Sequence, residues 1–278
     1  MEKQVTIQGV TTTYWEFNST ASQTLIMIHG FRGTHHGLLK IAHQLPQYRL
    51  IIPDLPGFGA SDALHAEHTI TAYIAWLHDF RRHADSSSAS YIVGHSFGSI
   101  VTSHYAAQYP SHVKKLVLIN PIGSPALESE QRFLVQLAIL YYWLGRKLPS
   151  AAARAWISMK PATKIMSLSM RKTKDKAIRR YIDEQHYAHF SSFANPSQLA
   201  EAFKTSVSHD VNQVASQLHI PTLLIAGEKD VITSLARQQH LHGAINGAQL
   251  VVIPGVGHLT HYETPGEVAS AIRDFIPV

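Results

Sequence analysis

Residues 91–101 read YIVGHSFGSIV: a short apolar run, a serine held between two glycines, and a second apolar run. A serine hydroxyl is a weak nucleophile without a base to activate it, so its placement decides what it can do. Gly94-His95-Ser96-Phe97-Gly98 fits the pattern G-x-S-x-G. It lies between a strand-like SYIVGHS (90–96) and a helix-like FGSIVTSHYAAQYP that stops at Pro110. A sharp turn at such a junction strains the serine backbone, and its close neighbours must lack side chains, as Gly94 and Gly98 do. The hydroxyl then projects above the carboxyl ends of the strands, where open α/β sheets place their ligands. The next helix aims its first N–H groups and positive dipole end at the same spot.

Outward from this junction, strand and helix signals alternate. KQVTIQGVTTTYWEF (3–17) reads as two β segments broken at Gly9, and TLIMIHG (24–30) as a strand buried on both faces. RLIIPDLPG (49–57), KKLVLIN (114–120), PTLLIAG (221–227) and QLVVIPG (249–255) supply further strands. Helical patterns fall at 37–45, 69–84, 234–245 and 267–276. Strands alternating with helices of this length imply parallel βαβ units. From about Pro121 to His209 the alternation stops and the pattern is helical throughout. The expectation is one α/β domain, 1–120 and 210–278, interrupted by a helical cap or lid at 121–209.

Composition narrows the class. At 278 residues the chain suits one large domain or one domain with an insertion. Hydrophobic residues at 45% against charged residues at 15% fit a compact globule and exclude disorder. The absence of cysteine removes disulfides and thiolate metal sites, and neither metal nor cofactor is expected. Met1 is followed by Glu2, Lys3 and a strand-like alternation, so a cytoplasmic protein without a signal peptide is expected. No apolar run reaches membrane-span length. The basic stretch RKTKDKAIRR (171–180) lacks an aromatic platform and reads as a solvated helix face, so nucleic acid is not an expected partner.

A nucleophilic serine needs a base and a group that orients the base. His258, in GVGHLTHYETP after the last strand, is preferred to His261, because Gly255 and Gly257 let the loop carry it back over the sheet edge. Asp230, in GEKD after the seventh strand, is preferred to Glu228 as the orienting acid. Strand six ends in Asn120-Pro121 and offers no carboxylate. The backbone N–H of Phe97 is one expected donor to a developing oxyanion, and that of Phe31, in HGFRG, the other. His29 reads as a packed structural histidine and Arg32 as a surface residue.

With HGF, DLPGFGASD (54–62), GHSFG, GEKD and GHLTHYETP in this order, the chain resembles the α/β-hydrolase superfamily over about 1–120 and 210–278. The resemblance implies a mostly parallel eight-stranded sheet flanked by helices, with an inserted α-helical cap. It assigns DLPGFGASD a structural and gating role, leaving Asp54 and Asp62 outside the chemistry. Serine at position 96 speaks against the dehalogenase and epoxide-hydrolase branches, which carry aspartate there. C–C hydrolases of vinylogous diketones stay open, although they usually show asparagine and tryptophan where this chain has His95 and Leu259. The leading expectation is a serine hydrolase of small-to-medium carboxylic esters or thioesters, with Ser96, His258 and Asp230 as its triad. A ligand receptor on the same scaffold is the reading from another class. Trp143, Trp156, Tyr141 and Tyr142 are candidates for an acyl pocket or for packing the cap. The expected partner is a small-molecule acyl substrate; a homodimer is left open.

Overall fold

The computed structural model describes residues 1–125 and 132–278. Its sheet has eight strands: β1 (Glu2–Ile7), β2 (Val10–Phe17), β3 (Thr24–Ile28), β4 (Arg49–Pro53), β5 (Ser90–His95), β6 (Val113–Ile119), β7 (Thr222–Gly227) and β8 (Gln249–Ile253). Their spatial order is β1-β2-β4-β3-β5-β6-β7-β8. β1 pairs with β2, and β2 with β4, in antiparallel fashion, and the remaining pairs are parallel. The β1–β2 hairpin turns at Gln8 and Gly9, both at positive φ (52° and 82°), the handedness that a two-residue turn needs to match strand twist.

Crossover helices cover both faces. The first half contributes α1 (Leu39–Ala42), α2 (Ile70–Ala84) and α3 (Phe97–Gln108). A run of five follows: α4 (Arg132–Lys147), α5 (Ser150–Ile157), α6 (Lys160–Met170), α7 (Lys176–His189) and α8 (Pro196–Ser208). Then come α9 (Leu235–Ala244), α10 (Thr260–Glu263) and α11 (Pro265–Phe275). Every residue of β3 is buried, and alternate ones belong to opposite cores. Ile26 and Ile28 join Trp76, Leu77 and Phe80 of α2 and Ile100 and Val101 of α3. Leu25 and Met27 join Ile41 of α1 and Val268 and Ile272 of α11. Burial on both faces is what makes these central strands read as unbroken apolar runs.

The helices α4–α8 lie between β6 and β7, where the sequence rhythm breaks. The two ends of this excursion meet, with Val211 N–H donating to the Ile122 carbonyl at 2.8 Å. The excursion rests on loops at the carboxyl ends of the strands. Gly59 N–H donates to the Ser192 carbonyl, Ala194 N–H to that of Gly57, and Lys172 N–H to Glu263 Oε1. The basic run at 171–180 starts α7, whose first N–H groups donate to Asp175, and within it Arg171 pairs with Asp183 at 2.8 Å.

Candidate active site

Ser96 occupies the turn between β5 and α3 at φ 52°, ψ −118°, a region L-residues seldom adopt. Packing dictates the glycines on either side. A Cβ on Gly94 would lie 2.2 Å from Thr102 Oγ1 and 2.5 Å from the Gly98 carbonyl oxygen. One on Gly98 would lie 2.3 Å from the Ile28 carbonyl oxygen, so β3 and the start of α3 could not approach. Ser96 N–H donates to the Ile119 carbonyl at 3.0 Å, tying the strained residue to the end of β6.

Three loops converge on the hydroxyl. His258 Nε2 lies 2.8 Å from Ser96 Oγ, and His258 Nδ1 lies 2.7 Å from Asp230 Oδ2. An ionised carboxylate only accepts, so Nδ1 carries the proton and Nε2 is left to accept from the serine hydroxyl. The loops bearing Asp230 and His258 touch backbone to backbone. A Cβ on Gly227 would meet the Gly257 carbonyl oxygen at 2.3 Å. Asp230 Oδ1 accepts the N–H groups of Ile232 (2.8 Å) and Thr233 (3.1 Å), and Oδ2 also accepts Asn120 Nδ2 at 2.9 Å. Burial by itself would push this carboxyl up, but His258 and these donors hold it below the usual carboxylate range. Glu228 points elsewhere and accepts from Gly255 N–H.

His95, beside the nucleophile, is buried and pushed down to about 3, chiefly by desolvation and then by the proximity of His258. His261 packs against it with ring centroids 4.1 Å apart and is held well below its ordinary value by the same causes. Burial thus disfavours a charge on either ring. His29 is also buried: its Nδ1 donates to the Gly30 carbonyl and its Nε2 accepts Leu55 N–H at 2.9 Å. Gly30 abuts the nucleophile, a Cβ there falling 3.1 Å from Ser96 Cβ, and this brings Phe31 to the edge of the site. Phe97 opens α3 directly after Ser96. Asp54 accepts from His35 and from Ala60 N–H, and Asp62 from Thr11 N–H, so both brace loops.

Two residues mattered more than their sequence context suggested. Arg32 reads as a surface residue, yet it is 2% exposed. Its Nε donates to the Phe190 carbonyl (2.8 Å) and Nη2 to the Ile157 carbonyl (3.1 Å), clamping the β3 loop to the helical excursion. A charged residue within an HGFRG turn gave no hint of which carbonyls would come to meet it. Asn120, at φ 44°, donates to Asp230 and accepts from Thr260 Oγ1, joining acid and base loops. Its place at the end of the strand beside the acid-bearing strand was the available signal.

The four aromatic candidates part company. Tyr142 is buried and packs on Phe31 at 5.9 Å, within a group that includes Phe58, Phe97 and Phe203. Tyr141 and Trp156 clasp each other, Tyr141 OH donating to the Trp156 carbonyl and Trp156 Nε1 to the Tyr141 carbonyl. Trp143 faces outward at 52% exposure, with Lys147 Nζ 5.6 Å from its ring centroid, and so does not line the interior.

Residues 23–265 match the family model described as alpha/beta hydrolase fold. The chain belongs to this family and is an enzyme of the hydrolase class. Among curated proteins it is 27% identical over 270 residues to Lipase 1 of Psychrobacter immobilis, covering 94% of this chain and 79% of the lipase. It is 26% identical over 260 residues to the monoacylglycerol lipase abhd6-B of Xenopus laevis, covering 91% and 75%. In fold it is similar to a thermophilic esterase from Thermogutta terrifontis (TM-score 0.79, 21% identity, 99% and 97% covered). The enol-lactonase from Burkholderia xenovorans is likewise similar (TM-score 0.83, 15% identity, 98% and 99% covered).

Proposed function

We propose that this enzyme hydrolyses carboxylic esters through an acyl-enzyme on Ser96. The observation that carries the reading is the continuous chain from Ser96 Oγ through His258 to Asp230, at 2.8 and 2.7 Å, on a serine at positive φ. His258 Nε2 takes the hydroxyl proton as Oγ attacks the acyl carbon, and Asp230 holds the ring in the required tautomer and favours the imidazolium that forms. The developing oxyanion is received by the backbone N–H groups of Phe31 and Phe97. His258 then returns the proton to the leaving alcohol, and water attacks the acyl-enzyme by the same route in reverse. The lipase, monoacylglycerol lipase and esterase relatives support an ester as the bond cleaved.

Residues 121–209 act as a cap over this site, with Arg32 as its anchor. The ring group of Phe31, Phe58, Phe97, Tyr142 and Phe203 makes the covered side apolar and suits an acyl chain rather than a polar acid. A fluorophosphonate probe is expected to label Ser96 covalently, and Ser96→Ala to lose both labelling and turnover of p-nitrophenyl acyl esters. Folded protein that resists the probe would overturn this reading.

A further inference from the structure

The outer surface of α4 is apolar where a helix facing water should be polar. Among the described exposed positions from Phe133 to Leu148, only Gln136, Arg146 and Lys147 are polar. The others are Phe133 (66% exposed), Leu137, Ile139, Leu140 (49%), Trp143, Leu144 and Leu148. Among the described positions of the helix, Tyr142 and Gly145 are the buried ones, and α4 packs inward on α5 and α8, so its apolar outer side has no partner among the described residues. A contiguous exposed patch of this kind marks an interaction surface.

Charge says which surface suits it. Residues 121–209 contain thirteen Lys and Arg against six Asp and Glu, whereas the rest of the chain contains eleven against thirteen. The whole positive excess of the protein therefore lies on the segment that carries α4. Arg146, Lys147 and Trp143 stand together near the C-terminal end of the helix, the residue types that settle at the boundary between acyl chains and headgroups. With 16 residues α4 is only about 24 Å long. No helix among the described residues is long and apolar enough to cross a bilayer. A basic helix with a broad apolar side and no spanning length lies in the interface plane.

We propose that α4 seats the cap on an anionic lipid surface, its leucines and Phe133 entering the acyl boundary while Arg146 and Lys147 meet the headgroup phosphates. This does not depend on the ester-hydrolase reading and is tested with chain that cannot turn over lipid. Ser96→Ala protein is sedimented with vesicles of phosphatidylglycerol and phosphatidylcholine, with vesicles of phosphatidylcholine alone, and at about 0.5 M salt. Binding to the anionic vesicles is expected, weakened about tenfold or more by the neutral lipid and by salt. Leu140→Glu with Leu144→Glu is expected to reduce it by about tenfold or more, and Arg146→Glu with Lys147→Glu to reduce it on anionic vesicles alone.

In chain retaining Ser96, the leucine variant should hydrolyse a soluble p-nitrophenyl ester within about twofold of the parent. Failure of ester hydrolysis would appear in that arm only and leave sedimentation untouched. The proposal is overturned by absence of binding to anionic vesicles, or by binding that survives the leucine variant. It is equally overturned if sedimentation velocity shows a dimer that the leucine variant dissociates while vesicles capture nothing, since the face would then cover a second copy of the chain.

Discussion

The rim of the sheet and the helices between β6 and β7 solve opposite problems. At the rim, backbone meets backbone so closely that Gly94, Gly98 and Gly227 have no room for a methyl group, and each carboxylate of consequence has several donors. In the helical excursion more large apolar side chains stay exposed, and the outer side of α4 presents leucines to solvent. Rigid positioning is what the proposed acyl transfer would require of three loops that hold atoms to a few tenths of an ångström. Adaptable apolar surface is what a lipid or an acyl chain requires of a cover. Catalytic loss should therefore follow from damage to the rim, and altered substrate access from damage to the helices.

The largest effect is expected at the proposed triad. Ser96→Ala or His258→Ala should lower kcat by about 10⁴-fold or more with little change in thermal stability. Asp230→Asn should do nearly as much, because an amide no longer requires the Nδ1–H tautomer. Steady-state kinetics with a p-nitrophenyl ester, beside a thermal melt, would test both. An Asp230→Asn enzyme retaining a tenth of its activity would remove Asp230 from the proposed role.

Acid acts on both regions at once. Burial depresses His95 to about 3 and His68 to about 4 at the rim, and His186 to about 3 in α7. A histidine that is neutral when folded but ordinary when unfolded binds more protons in the unfolded state between those limits. Stability is then complete above about pH 6.5 and falls as pH drops toward 3–4. The summed loss should reach several kcal/mol. Chemical denaturation at pH 7.5 and pH 5 (about one unit either side of the ordinary histidine value) would measure it, and His186→Gln should flatten part of the slope. A denaturation midpoint unchanged between these pH values would contradict the burial of these rings.

Most of the rim was legible because its constraints are local. A strand, a glycine turn and a polar residue in fixed succession led to Ser96, Asp230 and His258, and unbroken apolar runs located the central strands. What escaped was anything whose partner lies far along the chain. Arg32 lies 125 and 158 residues from the carbonyls it binds, and no local pattern announces such a pairing. Trp143 and Tyr142 are adjacent in sequence yet face opposite ways, one to solvent and one to Phe31. A helical repeat alone could not say which side would meet the sheet. The sequence reading of Arg32 as exposed failed for the same reason: burial of a cation depends on acceptors supplied by another element.

Arg32 therefore offers the test in which the two regions are coupled. Arg32→Met keeps the length of the stem but leaves the carbonyls of Phe190 and Ile157 without their donor. That should cost about 1–3 kcal/mol of global stability and more of local order. Limited proteolysis should nick the helices between 132 and 208 before the sheet, whereas the parent is cut more uniformly. Because Arg32 follows Phe31, KM for a long-chain ester should rise more than kcat falls. A variant with parental proteolysis and kinetics would mean that the clamp is dispensable.

The smallest effect is expected within the helices themselves. Tyr141 OH donates to the Trp156 carbonyl at 2.9 Å, and Trp156 Nε1 donates back to the Tyr141 carbonyl at 3.2 Å. Tyr141→Phe deletes one of these bonds, keeps the ring beside Trp156, and should cost about 1 kcal/mol. Since this pair joins α4 to α5, turnover of a short soluble ester should stay within about twofold. Retained stability would mean that water replaces the hydroxyl. A large catalytic loss would mean that order in these helices is transmitted to the rim more tightly than the single arginine clamp implies.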